Sequence, residues 1–272
     1  MKKLALLTAS ILASGAVVAS PIYDFDEVQG GGTNVSGTNI RDALTSSGLV
    51  QTLDNDAEVH MENGGGNDVV IIQGELGGAE HNRAFVDIES EGWSNDVRIR
   101  QHIVENDAIV QVGKEDSSDE SFNNVVDINQ SANVAGTSAG NGVNRAWVSL
   151  DDAGNSIVNI DQDYNNRAAV VIDGNSSLAT GNTVDVNQLG KAHNTNVGIF
   201  GDSDRNDVYV KHMDGHGKSQ ADISIKNSSN NRGSNNWGGY AQDGIHVVQS
   251  TGDYAGVFVT NSNSNAVFIY QN

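Results

Sequence analysis

The chain has 272 residues, a formal charge of −20, one proline and no cysteine. So acidic a chain repels phosphate instead of neutralising it, which excludes nucleic acid as a partner. It holds no disulfide, so an exported form must stand on packing and hydrogen bonds alone.

In chain order, residues 1–20 (MKKLALLTASILASGAVVAS) read as a secretory signal peptide. Two lysines precede a short apolar run, and small residues place the cut near Ala19 or Ser20. That run is too short for a membrane anchor, and no later segment is long and apolar enough to predict a membrane span. Residues 21–60, with QGGGTNVSGTN from Gln29, form a Gly/Asn-rich leader or a first coil. The sole proline is Pro21, so every later residue can donate its backbone N–H to a ladder.

From 61 to 272 the chain repeats. A pattern Asn-x-Val-x-Ile-x-Gln opens as NDVVIIQ at Asn67, then NDVRIRQ at Asn95, NVVDINQ at Asn124 and SIVNIDQ at Ser156. It continues as NTVDVNQ at Asn182, NDVYVKH at Asn206, DGIHVVQ at Asp243 and NAVFIYQ at Asn265. A second pattern, Asn-x-Ala-x-Val-x-Ile, lies between copies: NRAFVDI from Asn82, NDAIVQV from Asn106, NRAWVSL from Asn144 and NRAAVVI from Asn166. Weaker versions start at His193, Ser219 and Asp253. The shortest step between copies, Gln249 to Gln271, is 22 residues and marks the bare unit.

Alternation with period two puts the Asn, Val, Ile and Gln of each first strand on one face. Polar residues such as Asp96, Arg98 and Arg100 take the other. The predicted fold is all-β, a β-solenoid of about seven to eight strand–turn–strand coils with a Val/Ile core. Equivalent side chains then stack about 4.8 Å apart. A primary amide both donates and accepts, so a column of amides satisfies itself along the axis. The candidate ladder and assembly residues are Asn67, Gln73, Asn95, Gln101, Asn124, Gln130, Gln162, Asn182, Gln188, Gln249, Asn265 and Gln271. Outward aromatics are expected at Phe85, Trp147, Tyr209, Phe258 and Phe268. The last repeat ends the chain as a strand, which predicts an open coil end and head-to-tail addition of a second copy.

A unit of this length, with inward Gln, Asn and Ala on two strands, resembles the curlin repeat, approximately Ser-x5-Gln-x-Gly-x2-Asn-x-Ala-x3-Gln. Ser156 and Gln162 stand at the Ser-x5-Gln spacing, and Gln188 and Gly190 at Gln-x-Gly. Asn106 follows Gln101 by five residues and Ala108 comes two further on. The chain departs at Gln111, which comes one residue early, and at His212, which replaces a Gln. The resemblance covers about residues 67 to 272, and residues 61–272 are assigned to curlin-like repeats. It implies a subunit of a bacterial surface amyloid fibre that serves biofilm matrix and adhesion. It also implies a homopolymer outside the cell, reached through an outer-membrane secretion pore and started by a nucleator subunit, without a cofactor.

Rival readings stay open. NGGGNDVVI, residues 63 to 71, resembles one copy of a calcium-binding nonapeptide repeat. A monomeric β-solenoid adhesin would use the outward aromatics as its binding face. Catalysis is not expected: the carboxylates are scattered, and no nucleophile–base constellation stands out.

Overall fold

The computed structural model describes residues 55–61, 64–74, 82–88, 92–102, 106–113, 121–131, 144–174, 179–201, 203–213, 219–226, 244–250, 253–260 and 267–271. The expected signal peptide, the expected leader up to residue 54 and Asn265 lie outside these. Among the described residues there are strands and no helix.

Every strand pairs in parallel with the equivalent strand one turn away, so the chain winds into a β-solenoid of stacked coils. The long sheet has eight strands in chain order. They are Asp68–Gln73, Asp96–His102, Val125–Ser131, Ile157–Tyr164, Thr183–Lys191, Asp207–His212, Ile245–Gln249 and Val267–Tyr270. A second sheet carries four successive turns: Asp56–Met61, Arg83–Ile88, Asp107–Val112 and Arg145–Ser149. The stretch 166–172 continues it, since Ala168 N donates to Arg145 O at 3.0 Å and Val170 N to Trp147 O at 3.0 Å. That stretch leads to a third sheet, Asn194–Asn196, Gln220–Asp222 and Tyr254–Gly256, to which Ala169 N bonds at Thr195 O.

Between the second and long sheets runs a corner sheet of two-residue strands: Gly92–Trp93, Ser121–Phe122, Ala153–Gly154 and Ala179–Thr180. The coil then turns on one left-handed residue, namely Ser94, Asn123, Asn155 or Arg205 (φ 53 to 56°), or Gly66 or Gly181. Each stands directly before the first residue of a long-sheet repeat. Parallel in-register pairing is what identical repeats favour, because every inward column then carries one residue type. Val97 pairs with Val126, Ile99 with Ile128, and Ala108 with both Ala84 and Ala146. These columns are fully buried and form one continuous core.

Two aromatics of the outer face are covered. Phe85 and Trp147, expected to point outward and stack along that face, are 5% and 4% exposed. Both are on the outer side of the second sheet, where Phe85, Ile109 and Trp147 are in register one above another. Stacking along the axis removes surface that an isolated strand residue would keep. Beside this row Arg83 donates to Asp107 at 2.9 Å, and Arg145 lies 3.6 Å from the same carboxylate. Phe258 and Phe268 do face solvent, at 64% and 51%.

Candidate functional site

The residues that the repeat singles out stand at the two ends of each long-sheet strand. On the Gln side, Gln73 Nε2 donates to Gln101 Oε1 at 2.8 Å and Gln101 to Gln130 at 2.9 Å. Gln130 donates to Gln162 at 2.9 Å and Gln162 to Gln188 at 2.7 Å. The second N–H of each amide turns to its own coil: Gln101 bonds Arg83 O, Gln130 bonds Asp107 O and Gln162 bonds Arg145 O. Each buried amide thereby joins two coils and ties a long-sheet strand to a second-sheet strand.

The Asn side runs in the opposite sense. Asn95 Nδ2 donates back to Asn67 Oδ1 and Asn124 Nδ2 back to Asn95 Oδ1, both at 3.1 Å, and Asn206 back to Asn182 at 3.0 Å. The same oxygens also take the backbone N–H of the following Asn. The remaining amide hydrogen closes the corner: Asn67 bonds Gly92 O, Asn124 bonds Ala153 O and Asn182 bonds Ser203 O. Amide-to-amide donors point toward the C-terminal end on the Gln side and toward the N-terminal end on the Asn side, where the other N–H reaches a corner carbonyl of the following coil. Ser156 interrupts the Asn side, though its backbone N–H still reaches Asn124 Oδ1 at 3.0 Å.

A third amide column was present in the second pattern but was not among the candidate residues. Asn82 donates to Asn55, Asn106 to Asn82 and Asn144 to Asn106, at 3.1, 2.8 and 3.1 Å. The signal for it was the Asn that opens each Asn-x-Ala-x-Val-x-Ile copy.

The Gln side changes character at His212. Gln188 Nε2 donates to Thr195 Oγ1, which lies 2.9 Å from His212 Nε2. His212 stacks on His193, whose Nε2 donates to the Leu189 carbonyl. Burial first, then the neighbouring His193, pull the His212 pKa down to about 3. Past this point Gln249 donates to Gln271 at 2.9 Å, while the buried Gln249 Oε1 has no hydrogen-bond partner among the described residues.

The glycines that resembled a calcium repeat have a packing reason. A Cβ on Gly64 would collide with the Gly92 carbonyl oxygen, and one on Gly65 would come within 2.7 Å of the Trp93 ring. Close approach of the next coil accounts for small residues there without a bound ion.

Both ends of the stack show part of the core. Val59, Val69 and Ile71 at one end, and Val267 and Ile269 at the other, are only partly buried, while their column mates Val97, Ile99 and Val247 are fully covered. Comparison with known protein families, with characterised proteins and with solved structures finds no match to this chain.

Proposed function

We propose that this chain is a secreted, self-assembling, curli-like fibre subunit, a structural part of an extracellular matrix that also serves surface adhesion. In this reading the inward amides are continuous ladders through seven to eight coils, and copies add head to tail. The observation that carries it is the pair of stack ends, neither covered by a further strand among the described residues. Partly exposed Val69 and Ile71 face one way and partly exposed Val267 and Ile269 the other, each on an edge strand of the same parallel sheet. An edge of unpaired N–H and C=O groups recruits another strand. Two such edges of one register make an open, non-closing polymer. The curlin resemblance adds export through an outer-membrane pore and a nucleator as partner. The proposed role is scaffolding and needs no cofactor.

A monomeric adhesin is the second reading. It is favoured by exposed aromatics gathered at the C-terminal end: Tyr254, Phe258, Phe268 and Tyr270 are all more than half exposed. Fibre diffraction on the exported chain separates the two. Aligned filaments with a meridional reflection near 4.7 to 4.8 Å support the fibre. A β-rich chain that stays monomeric at neutral pH leaves the adhesin.

A further inference from the structure

Among the described residues no further strand pairs at either end of the stack, and the two ends are also offset. The first described strand, Asp56–Met61, belongs to the second sheet and comes before the long sheet begins at Asp68. The last, Val267–Tyr270, belongs to the long sheet and comes after the third sheet's final strand, Tyr254–Gly256. One side of the solenoid therefore projects at one end and the other side at the opposite end.

From this offset we infer a lap joint between two copies, a deduction that rests on the fibre reading above. Val267–Gln271 of one copy pairs with Asp68–Gln73 of the next. Asp56–Met61 of that next copy pairs with the Tyr254–Gly256 strand of the first and the residues that follow it. Each projecting half-coil completes the other's missing half.

The column residues agree with this register on both sides. On the long sheet Val267 and Ile269 carry the same inward columns as Val69 and Ile71. On the other side Ala255 and Val257 meet Ala57 and Val59, the same small-then-branched order. The outer face agrees independently. Its middle is polar, with Arg98, Asp127, Asn159 and Asp185 in register, but its two terminal strands are apolar. Val70 is 39% exposed at one edge, and Phe268 and Tyr270 are 51% and 52% exposed at the other. Joining the ends in this register covers those side chains with one another.

The polar groups point the same way. Along the third column the Asn oxygens receive N–H groups from the residue one turn on: Asn55 and Asn82 take both a backbone N–H and an amide, Asn106 takes an amide, and Asn144 and Asn166 take a backbone N–H. Asp253 ends that column, placed there by the bond from Gln220 N to its carbonyl. Its Oδ2 is buried and has no hydrogen-bond partner among the described residues, a costly state for a carboxylate oxygen. In the lap joint Asn55 of the next copy supplies a backbone N–H and an amide to Asp253, as Asn82 does to Asn55 and Asn106 to Asn82. Gln271, whose amide donates to Tyr254 O, has its second N–H directed to Gln73 of that copy, in the sense that the Gln row already follows.

The chain has no cysteine, so introduced pairs report the register. In-register Cα atoms on neighbouring parallel strands stand about 4.8 Å apart, within disulfide reach, and a slip of two residues carries them beyond about 7 Å, out of it. Val70→Cys with Phe268→Cys tests the long-sheet side, and His60→Cys with Phe258→Cys tests the other. Oxidised fibres of each pair are expected to run as covalent multimers, and a Val70→Cys, Tyr270→Cys control as monomer. Single-cysteine chains mixed in equal parts should stop at dimers, which separates the joint from lateral contacts. Fibres in which only the long-sheet pair cross-links, or only the slipped control, overturn the lap joint and leave the fibre reading standing. If the unmodified chain forms no fibre, both fall.

Discussion

The rings of His193 and His212 stack with centroids 4.9 Å apart and planes 19° from parallel, both fully buried. No charge can be added to this pair cheaply. His212 has a folded pKa near 3, against 6.5 when unfolded, so between those values the unfolded chain binds the extra proton. The stability it contributes is complete above pH 6.5 and is lost as pH falls toward 3. The slope approaches about 1.4 kcal/mol per pH unit, so pH 7 to pH 4.5 should cost about 2 to 3 kcal/mol. His212→Gln is expected to flatten this part of the profile in urea unfolding. At neutral pH the same variant should gain about 1 kcal/mol, because a new amide can donate to the unpartnered Gln249 Oε1.

Gln130 makes three side-chain hydrogen bonds in the interior: from Gln101, to Gln162 and to Asp107 O. Gln130→Ala strands each partner in the fully buried interior. A loss of about 2 to 4 kcal/mol is expected, from unpaired groups plus a cavity. The neighbouring Asn129 bonds Asp161 at 2.7 Å on the exposed face, and Asn129→Ala should stay within about 0.5 kcal/mol of the parent. Equal costs at the two positions, by denaturant midpoint, would contradict the role given to the buried amides.

Gly154 lies under the Phe122 ring, and a Cβ there would come within 2.7 Å of it. Gly154→Val is expected to cost about 1 to 3 kcal/mol through overpacking. Adding Phe122→Ala should recover part of that loss, so the two changes together cost less than their sum. Simple additivity in thermal unfolding would show that some other contact requires the glycine.

Asp107 sits between Arg83 and Arg145 with its carboxylate 3% exposed. Asp107→Asn removes the buried carboxylate that stands between two largely buried guanidinium groups, at an expected cost of about 3 to 5 kcal/mol. The Asp96–Arg98 pair is shorter, at 2.6 Å, but its arginine is 46% exposed. Asp96→Asn should therefore cost less than about 1 kcal/mol. Burial, not distance, sets the order of these two, and unfolding in high salt should shift only the exposed pair.

By itself the sequence determined the all-β class, the inward Val and Ile columns and the stacked-coil register. Period two assigns faces: Val97 and Ile99 share one side because Arg98 and Arg100 are forced to the other. Repetition assigns register, since NDVRIRQ over NVVDINQ puts like residues together only when Gln101 meets Gln130. The Asn82–Asn106–Asn144 column was legible in the same way, though it was not among the residues chosen. Tertiary structure decided the rest. The burial of Phe85 and Trp147 depends on what lies one turn away and beside their row, which the pattern within a strand does not encode. The opposed directions of the Gln and Asn rows depend on which corner carbonyl takes each spare N–H, as Gly92 O does for Asn67. The offset of the two ends depends on which sheet holds Asp56–Met61 and which holds Val267–Tyr270. Each of these is a relation between coils, and it exists only once the coils are stacked.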